Sequence, residues 1–403
     1  MGYLENMLPK YLARLGLDVH LITMDLAPYY QMKESARTYN GFVDCGLTPG
    51  TIEPFQGYTL HVLPHRNVLG YMQMAGLRKK LQTIGPDIVQ TQHTIGWLPL
   101  QAAAARISTG YKLFTGNHYH ASVFPLAGKN ASPWNQELIR CRLTRTLPGW
   151  LVATCTEKCY AITSDCADVA ARFFGVPRSK IEICPLGVDT ELFSPMAGEA
   201  DHQARCDLRR RLGFSDGEIV CIYTGRFSED KNPLLLAEAV DRLARRDEPF
   251  RGLFVGNGAQ AQAIQSSRGC VTHPFVPVDE LGALFRASDI GVWPTQESTS
   301  MLDAAACGLP IVANHTMLAP ERVEGNGSTY RLNDLDDLVR VLLSLKEAQE
   351  RRRLGFCGAE KMARDFSWAS IARRRLYDYL VALGSTQRLP EKAVSKEFAG
   401  RVD

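Results

Sequence analysis

Short apolar runs alternate along the chain with stretches whose apolar positions recur at three- and four-residue spacing. The first pattern suits a strand buried on both faces, the second an amphipathic helix. Residues 4–15 read as a helix interrupted near Pro9, and strands are expected at 19–23, 88–90, 112–115, 161–163 and 181–184. A second series opens with a strand at 219–224 and a helix from Pro233, then strands at 253–255, 290–293 and 311–313. Helices are expected over 280–287, 301–307 and 368–383. This alternation predicts an α/β protein with doubly wound, Rossmann-like parallel sheets covered by helices on both faces. Residues 125–150 break the rhythm with Gly, Asn, Pro and Trp before a short basic helix, a pattern of lids and partner-facing loops. The chain opens on a helix, with no strand or glycine-rich turn ahead of it, so the first strand of the first domain is expected to be missing.

At 403 residues the chain is too long for one ordinary core and fits two domains. No apolar run approaches the ~18 residues that span a bilayer, and the N-terminus lacks a basic-then-apolar signal pattern. Eleven scattered cysteines without paired metal spacing suit buried thiols in a reducing cytoplasm rather than a zinc site. A net charge of only +3 makes no case for nucleic acid. Its placement is uneven, though: residues 1–185 hold eighteen Lys/Arg and twelve Asp/Glu, leaving +6 there and −3 in the rest. The run Arg78-Lys79-Lys80 in that basic half is either a solvated helix face or a peripheral contact with the inner face of a membrane.

The candidate chemistry lies where strands end and helices begin, which is where open α/β sheets bind ligands. After the strand at 219–224, Gly225 allows close backbone approach, and Arg226 and Lys231 bring two fixed cations to the sheet edge. Asn232 is placed to cap the helix that Pro233 begins. Arg grips phosphate oxygens with a planar fork and Lys acts as a point charge, so the pair suits a departing diphosphate without a metal. Alone, the loop would read as a surface salt-bridge cluster with Glu229 and Asp230. A second motif changes that: Glu297 precedes Ser298, Thr299 and Ser300, any of which can cap a short helix ended by Gly308 and Pro310. Its N-terminal N–H groups suit a phosphate, Glu297 suits sugar hydroxyls and Asp303 suits a ribose. The bland alternative leaves Glu297 supporting the cap and Asp303 on a solvated face. Together the motifs argue for a sugar-nucleotide-dependent transferase.

Weaker signals surround these. Gly256-Asn257-Gly258 fits any turn or the wall of a nucleoside site. His118, in Asn117-His118-Tyr119-His120, ends a strand and suits a hydrogen bond to a donor hydroxyl or orientation of the acceptor; His93 ends the preceding strand. A metal held by His118 and His120 lacks nearby carboxylates in the sequence. Asp334-Leu335-Asp336 matches a D-x-D metal pattern but precedes a helix as a cap would.

These residues resemble the retaining glycosyltransferases of family 4, which have the GT-B fold. The likeness runs in order through YLARLG (11–16), PLGVDTELFSP (185–195), the 225–231 loop, VGNG (255–258), SDI (288–290), AAACGLP (304–310) and FSW (366–368). It implies two Rossmann-like domains facing a cleft. The first, 1–187, would bind the acceptor, with the helix 366–383 packing back on it. The second, 188–365, would bind the nucleotide-sugar, and 384–403 would form a flexible tail. The resemblance further implies a UDP- or GDP-linked donor, a glycan or lipid-linked acceptor, retention, and neither metal nor other cofactor. Arg226 and Lys231 would hold the diphosphate, Glu297 the donor sugar, Asp303 the ribose, and His118 the place of the first-domain histidine. In two respects the chain departs from the family. Five residues separate Glu297 from Asp303 where seven and a second Glu are usual, and the first strand with its glycine-rich loop has no counterpart before Tyr3. A nucleotide-sugar-binding protein without transfer, or another GT-B enzyme such as an epimerase or a phosphorylase, would share much of this pattern.

Overall fold

The computed structural model describes residues 3–25, 47–68, 71–127, 134–295 and 297–385. The expected tail, 384–403, falls almost wholly outside that set. The chain divides into two compact units. Of the described residues, one holds those up to 186 and from 371 onward, the other those from 187 to 370.

In the first unit, the helix Tyr3–Arg14 keeps Pro9 within it and leads to β1 (His20–Met24). Strands β2 (Ile52–Phe55) and β3 (Tyr58–Leu63) join β1 in the order β1-β3-β2, β1 parallel and β2 antiparallel to β3. A separate hairpin pairs β4 (His65–Val68) with β5 (Tyr71–Met74). A parallel sheet then runs in sequence order through β6 (Ile88–Gln90), β7 (Lys112–Asn117), β8 (Thr156–Ala161) and β9 (Ile181–Ile183). The strand expected at 161–163 ends at Ala161 instead, because the helix Ser164–Phe173 begins just after it, with Thr163 at the position ahead of its first residue.

In the second unit, six parallel strands form one sheet: β10 (Ile219–Thr224), β11 (Phe250–Val255), β12 (Cys270–His273), β13 (Ile290–Trp293), β14 (Ile311–Asn314) and β15 (Gly327–Tyr330). Their order is β12-β11-β10-β13-β14-β15, so the chain runs outward from β10, then returns to pair β13 with β10 and runs the other way. That reversal is the doubly wound switch point, where the two strand-end loops diverge and leave a crevice. β10 and β13 are buried at every position, as continuous apolar runs require. Asp289, just ahead of β13, accepts from Arg205, Arg209 and the Val220 N–H, tying the helix Glu199–Arg211 to the two central strands.

Candidate active site

The switch point of the second unit carries the two motifs read from the sequence. The loop leaving β10 is held by its backbone. Gly225 N–H donates to Val255 O (3.0 Å), Tyr223 Oη donates to Arg226 O (2.9 Å), and Phe227 N–H donates to Asn257 O (2.9 Å). Phe227 is buried and plugs the loop into the core, while Arg226 and Lys231 on either side stay part-exposed. Asn232 precedes the helix Pro233–Ala244 as expected, but it sits in the left-handed region (φ 45°) and its side chain makes no capping bond.

Gly256 and Gly258 have a structural role in the fold of the two loops. A Cβ at Gly256 would lie 1.9 Å from Gly225 O, and one at Gly258 2.5 Å from Phe227 O. Their positive φ values (153° and 154°) and missing side chains let the β11 loop stack backbone to backbone on the cation loop. Asn257 is exposed, its side chain accepting from the Gly258 N–H at 2.8 Å.

The loop leaving β13 reaches the same edge. Thr295 Oγ1 donates to Asp230 O (2.6 Å), which joins the two motifs directly. Asn314 Nδ2 donates to Thr295 O (2.6 Å), and Tyr330 Oη donates to Pro294 O (2.6 Å). Glu297 Oε1 accepts from the backbone N–H groups of Leu318 and of Ala319, the latter at 3.0 Å, and Arg322 donates to Ser298 O (3.1 Å). The carboxylate is thereby fixed by two amides. Thr295, Asn314, Arg322 and Tyr330 were not singled out in the sequence; for Thr295, Asn314 and Tyr330 a place at or just past a strand end was the only signal, and Arg322, in the turn Pro320–Arg322, had none.

Electrostatics links the loops as well. Burial holds the Lys231 ammonium below its usual pKa and Arg226 adds to that, against the pull of Asp230 and Glu297. Burial pushes the Asp230 carboxyl up, but the Ser228 hydrogen bond and the charges of Arg226 and Lys231 outweigh it and leave it lowered. Arg226 contacts Asp230 at 3.5 Å, a long ion pair at a part-exposed site that leaves most of the guanidinium's donors for a ligand.

One alternative about the short helix is excluded: Asp303 is only 1% exposed, so it does not lie on a solvated face. The helix Ser300–Ala306 is apolar around its circumference and is buried on every side, carrying Asp303 inward with it. Thr299 occupies the capping position without a capping bond. Ser298 supplies a hydroxyl instead, accepting from the Ser300 N–H at 3.3 Å, and its carbonyl takes the Met301 N–H at 3.2 Å. Those two amides are therefore engaged within the turn.

In the first unit, His118 follows β7 directly. It is partly buried, with its ring edge-on to His93 at 5.7 Å between centroids. Burial lowers its pKa to about 4, and the charges of His93, Arg375 and His120 push the same way. The ring is neutral at ordinary pH, a hydrogen-bonding group rather than a cation. His120 is not without a carboxylate, contrary to expectation: its Nδ1 lies 3.2 Å from Asp165, and candidate ligand atoms of His120, Asp165 and Cys166 fall within 4.8 Å of one another. Asp165 also accepts from Thr163 Oγ1 (2.5 Å) and the Ala121 N–H (2.8 Å), which reads as a structural tie between the β7 loop and the next helix. Asp334 caps the helix Leu335–Ser344, accepting from the Asp337 N–H.

Comparisons with known proteins give the family. Residues 7–192 match the family model described as Glycosyltransferase Family 4, and residues 218–347 match Glycosyl transferases group 1. A D-inositol 3-phosphate glycosyltransferase from Geodermatophilus obscurus is 30% identical over 409 residues, covering 96% of this chain and 85% of that protein. This chain belongs to glycosyltransferase family 4. A shorter match, 28% over 225 residues, covers 51% of the chain and 57% of a GDP-mannose-dependent alpha-(1-6)-phosphatidylinositol monomannoside mannosyltransferase from Mycolicibacterium smegmatis. Among solved structures, a glycosyltransferase from Rickettsia africae superposes with a TM-score of 0.66 at 14% identity, covering 94% of each chain. The family 4 chain is thus a glycosyltransferase of GT-B fold that uses a nucleotide-sugar donor. No helix among its described residues is long and apolar enough to cross a membrane.

Proposed function

We propose that this enzyme moves a sugar from a UDP- or GDP-linked donor to a glycan or lipid-linked acceptor, with retention and without a metal. The observation that carries the reading is the joining of Arg226, Lys231 and Glu297 at one switch point by the Thr295–Asp230 hydrogen bond. The second unit holds the donor. Arg226 takes the diphosphate oxygens with its planar fork, and the part-desolvated Lys231 stabilises the charge that grows there as the glycosidic bond breaks. Glu297, held by two amides, accepts hydrogen bonds from the sugar. The acceptor hydroxyl approaches from the side of the leaving diphosphate, whose oxygen takes its proton, so configuration is kept. The first unit binds the acceptor, and neutral His118 orients a hydroxyl there. The relatives' names support a polar inositol-type or lipid-linked acceptor, and the basic first half suits an anionic surface.

The test is thermal unfolding with UDP, GDP, ADP, CMP and their sugars, followed by transfer assays with and without EDTA. A ligand at 100 times its dissociation constant adds about 2.7 kcal/mol, which is readily seen. One base should stabilise the protein and lose that effect in Arg226→Ala. Lys231→Ala should cut transfer by ~10²-fold or more, the scale of losing one preorganised charge stabiliser. Binding without turnover would mark a non-transferring binder, an unchanged rate in Lys231→Ala would remove the phosphate role, and loss of activity in EDTA would end the metal-free reading.

A further inference from the structure

The segment expected to be a lid or partner-facing loop is mostly helical. A helix over Gln136–Cys141 continues through a π-helical turn, Arg142–Thr146, into a helix over Leu147–Cys155. Its inner side is firmly seated. Leu138 and Cys141 pack with Phe124, Phe173 and Phe174, and Val152 is fully buried against a neighbouring cluster. Thr146 Oγ1 donates to Phe173 O at 2.6 Å, and Gly149 lies so close to the next turn that a Cβ would sit 2.0 Å from Phe174 O.

Its outer side is apolar and open. Leu143 is 63% exposed, Leu147 and Trp150 50%, and Leu151 49%. Spaced four, seven and eight residues from the first, these four share one helical face. A rigid helix that keeps three leucines and a tryptophan in water has a surface with an unmet partner. Charge says which kind. From Leu138 to Thr156 the chain has Arg140, Arg142 and Arg145 and no carboxylate, and Arg140 and Arg142 are exposed beside the leucines. Apolar side chains rimmed by arginine, with tryptophan among them, are what a helix lying in an anionic lipid interface carries. A second copy of this chain fits less well, since it would bring three arginines on each side against a single acid, Glu137 in the first turn of the helix. The basic run Arg78-Lys79-Lys80 makes a useful contrast. Its helix, Leu77–Ile84, buries Leu77 and Leu81 and exposes no large apolar side chain.

We propose that the outward face of this segment, Leu143, Leu147, Trp150 and Leu151 with Arg140 and Arg142, seats the enzyme on an anionic lipid bilayer. The leucines and Trp150 enter the acyl boundary while the arginine stems lie along it and their guanidinium groups stay among the phosphates. This deepens the lipid-linked acceptor reading and rests on it only for its purpose. Vesicle binding needs neither donor nor acceptor, so the two can fail separately.

The experiment is flotation of the full chain with vesicles of neutral phosphatidylcholine, alone or with one-third phosphatidylglycerol. Binding is expected to the anionic vesicles, falling with added salt, with a blue shift of tryptophan emission that Trp150→Phe removes. The double variant Leu147→Asp/Leu151→Asp, and separately Arg140→Glu/Arg142→Glu, should each lower binding at least tenfold. Both should keep the wild-type circular dichroism and nucleotide-induced thermal shift. Lys79→Glu/Lys80→Glu should have a smaller effect than either. Unchanged binding in the leucine variant, equal binding to neutral vesicles, or absence of vesicle binding would each overturn the proposal. So would a concentration-dependent dimer in sedimentation that the leucine variant abolishes.

Discussion

At the scale of single residues, His118 shows how surroundings choose a side chain's chemistry. Unfolded, it takes a proton near the ordinary histidine value of about 6.5; folded, only near about 4, because burial and then His93, Arg375 and His120 oppose the charge. Between those values the unfolded chain binds more protons, so stability present at neutral pH drains away as pH falls through the window. His118→Gln should lose less stability than wild type between pH 6.5 and pH 4, measured by urea unfolding at each pH. Equal losses in the two proteins would show that His118 is not held neutral. The sequence placed His118 directly after β7, and Arg226, Lys231 and Glu297 in the loops that follow β10 and β13, because the chain must leave the sheet where an apolar run ends. The burial of Asp303 was not legible, for a different reason. A carboxylate within Met301-Leu302-Asp303-Ala304-Ala305-Ala306 carries no sign of whether its helix is covered on one side or all round.

Among elements, the stacked loops after β10 and β11 are the feature most open to test. Gly256→Ala forces a methyl group onto the Gly225 carbonyl and a strained φ, and should cost about 1–3 kcal/mol from overpacking alone. Because the displaced loop carries Arg226 and Lys231, nucleotide affinity should fall more than tenfold, read by the same thermal shift. A variant with wild-type affinity would show that the stack does not position the cations. The inner strands of the second unit, β10, β11, β13 and β14, were legible because burial on both faces demands unbroken apolar runs, whereas β3 (Tyr58–Leu63) was missed and β8 was placed at its last residue only. β2, β12 and β15 lie at sheet edges and read as Ile52-Glu53-Pro54-Phe55, Cys270-Val271-Thr272-His273 and Gly327-Ser328-Thr329-Tyr330, too mixed to announce a strand. The β4–β5 hairpin was missed as well, and its sequence has no Asn-Gly or Asp-Gly turn signal to mark it.

On the scale of the whole chain, the last helix, Trp368–Ala382, completes the first unit. Asp378, buried there, accepts from Lys158 Nζ and Tyr160 Oη, each at 2.7 Å, and Tyr379 packs edge-on to Phe114 at 4.9 Å and bonds Gln90. Asp378→Ala leaves the Tyr160 hydroxyl and the Lys158 ammonium short of a partner, which should cost about 3 kcal/mol. The loss should show as an earlier transition in urea, with the nucleotide-induced stabilisation kept; an unmoved transition would show that the helix is held by its apolar contacts alone. The order in which a ribosome releases the chain gives this arrangement a temporal side. Strands β6–β9 emerge early, yet the residues that cover Phe114 and Tyr160 come more than 180 positions after the first unit's main stretch ends. At 5–20 residues per second that is a delay of roughly ten to forty seconds. Throughout it a nascent first sheet shows an uncovered aromatic face, so the interval between β9 and the final helix is when this protein most needs a chaperone.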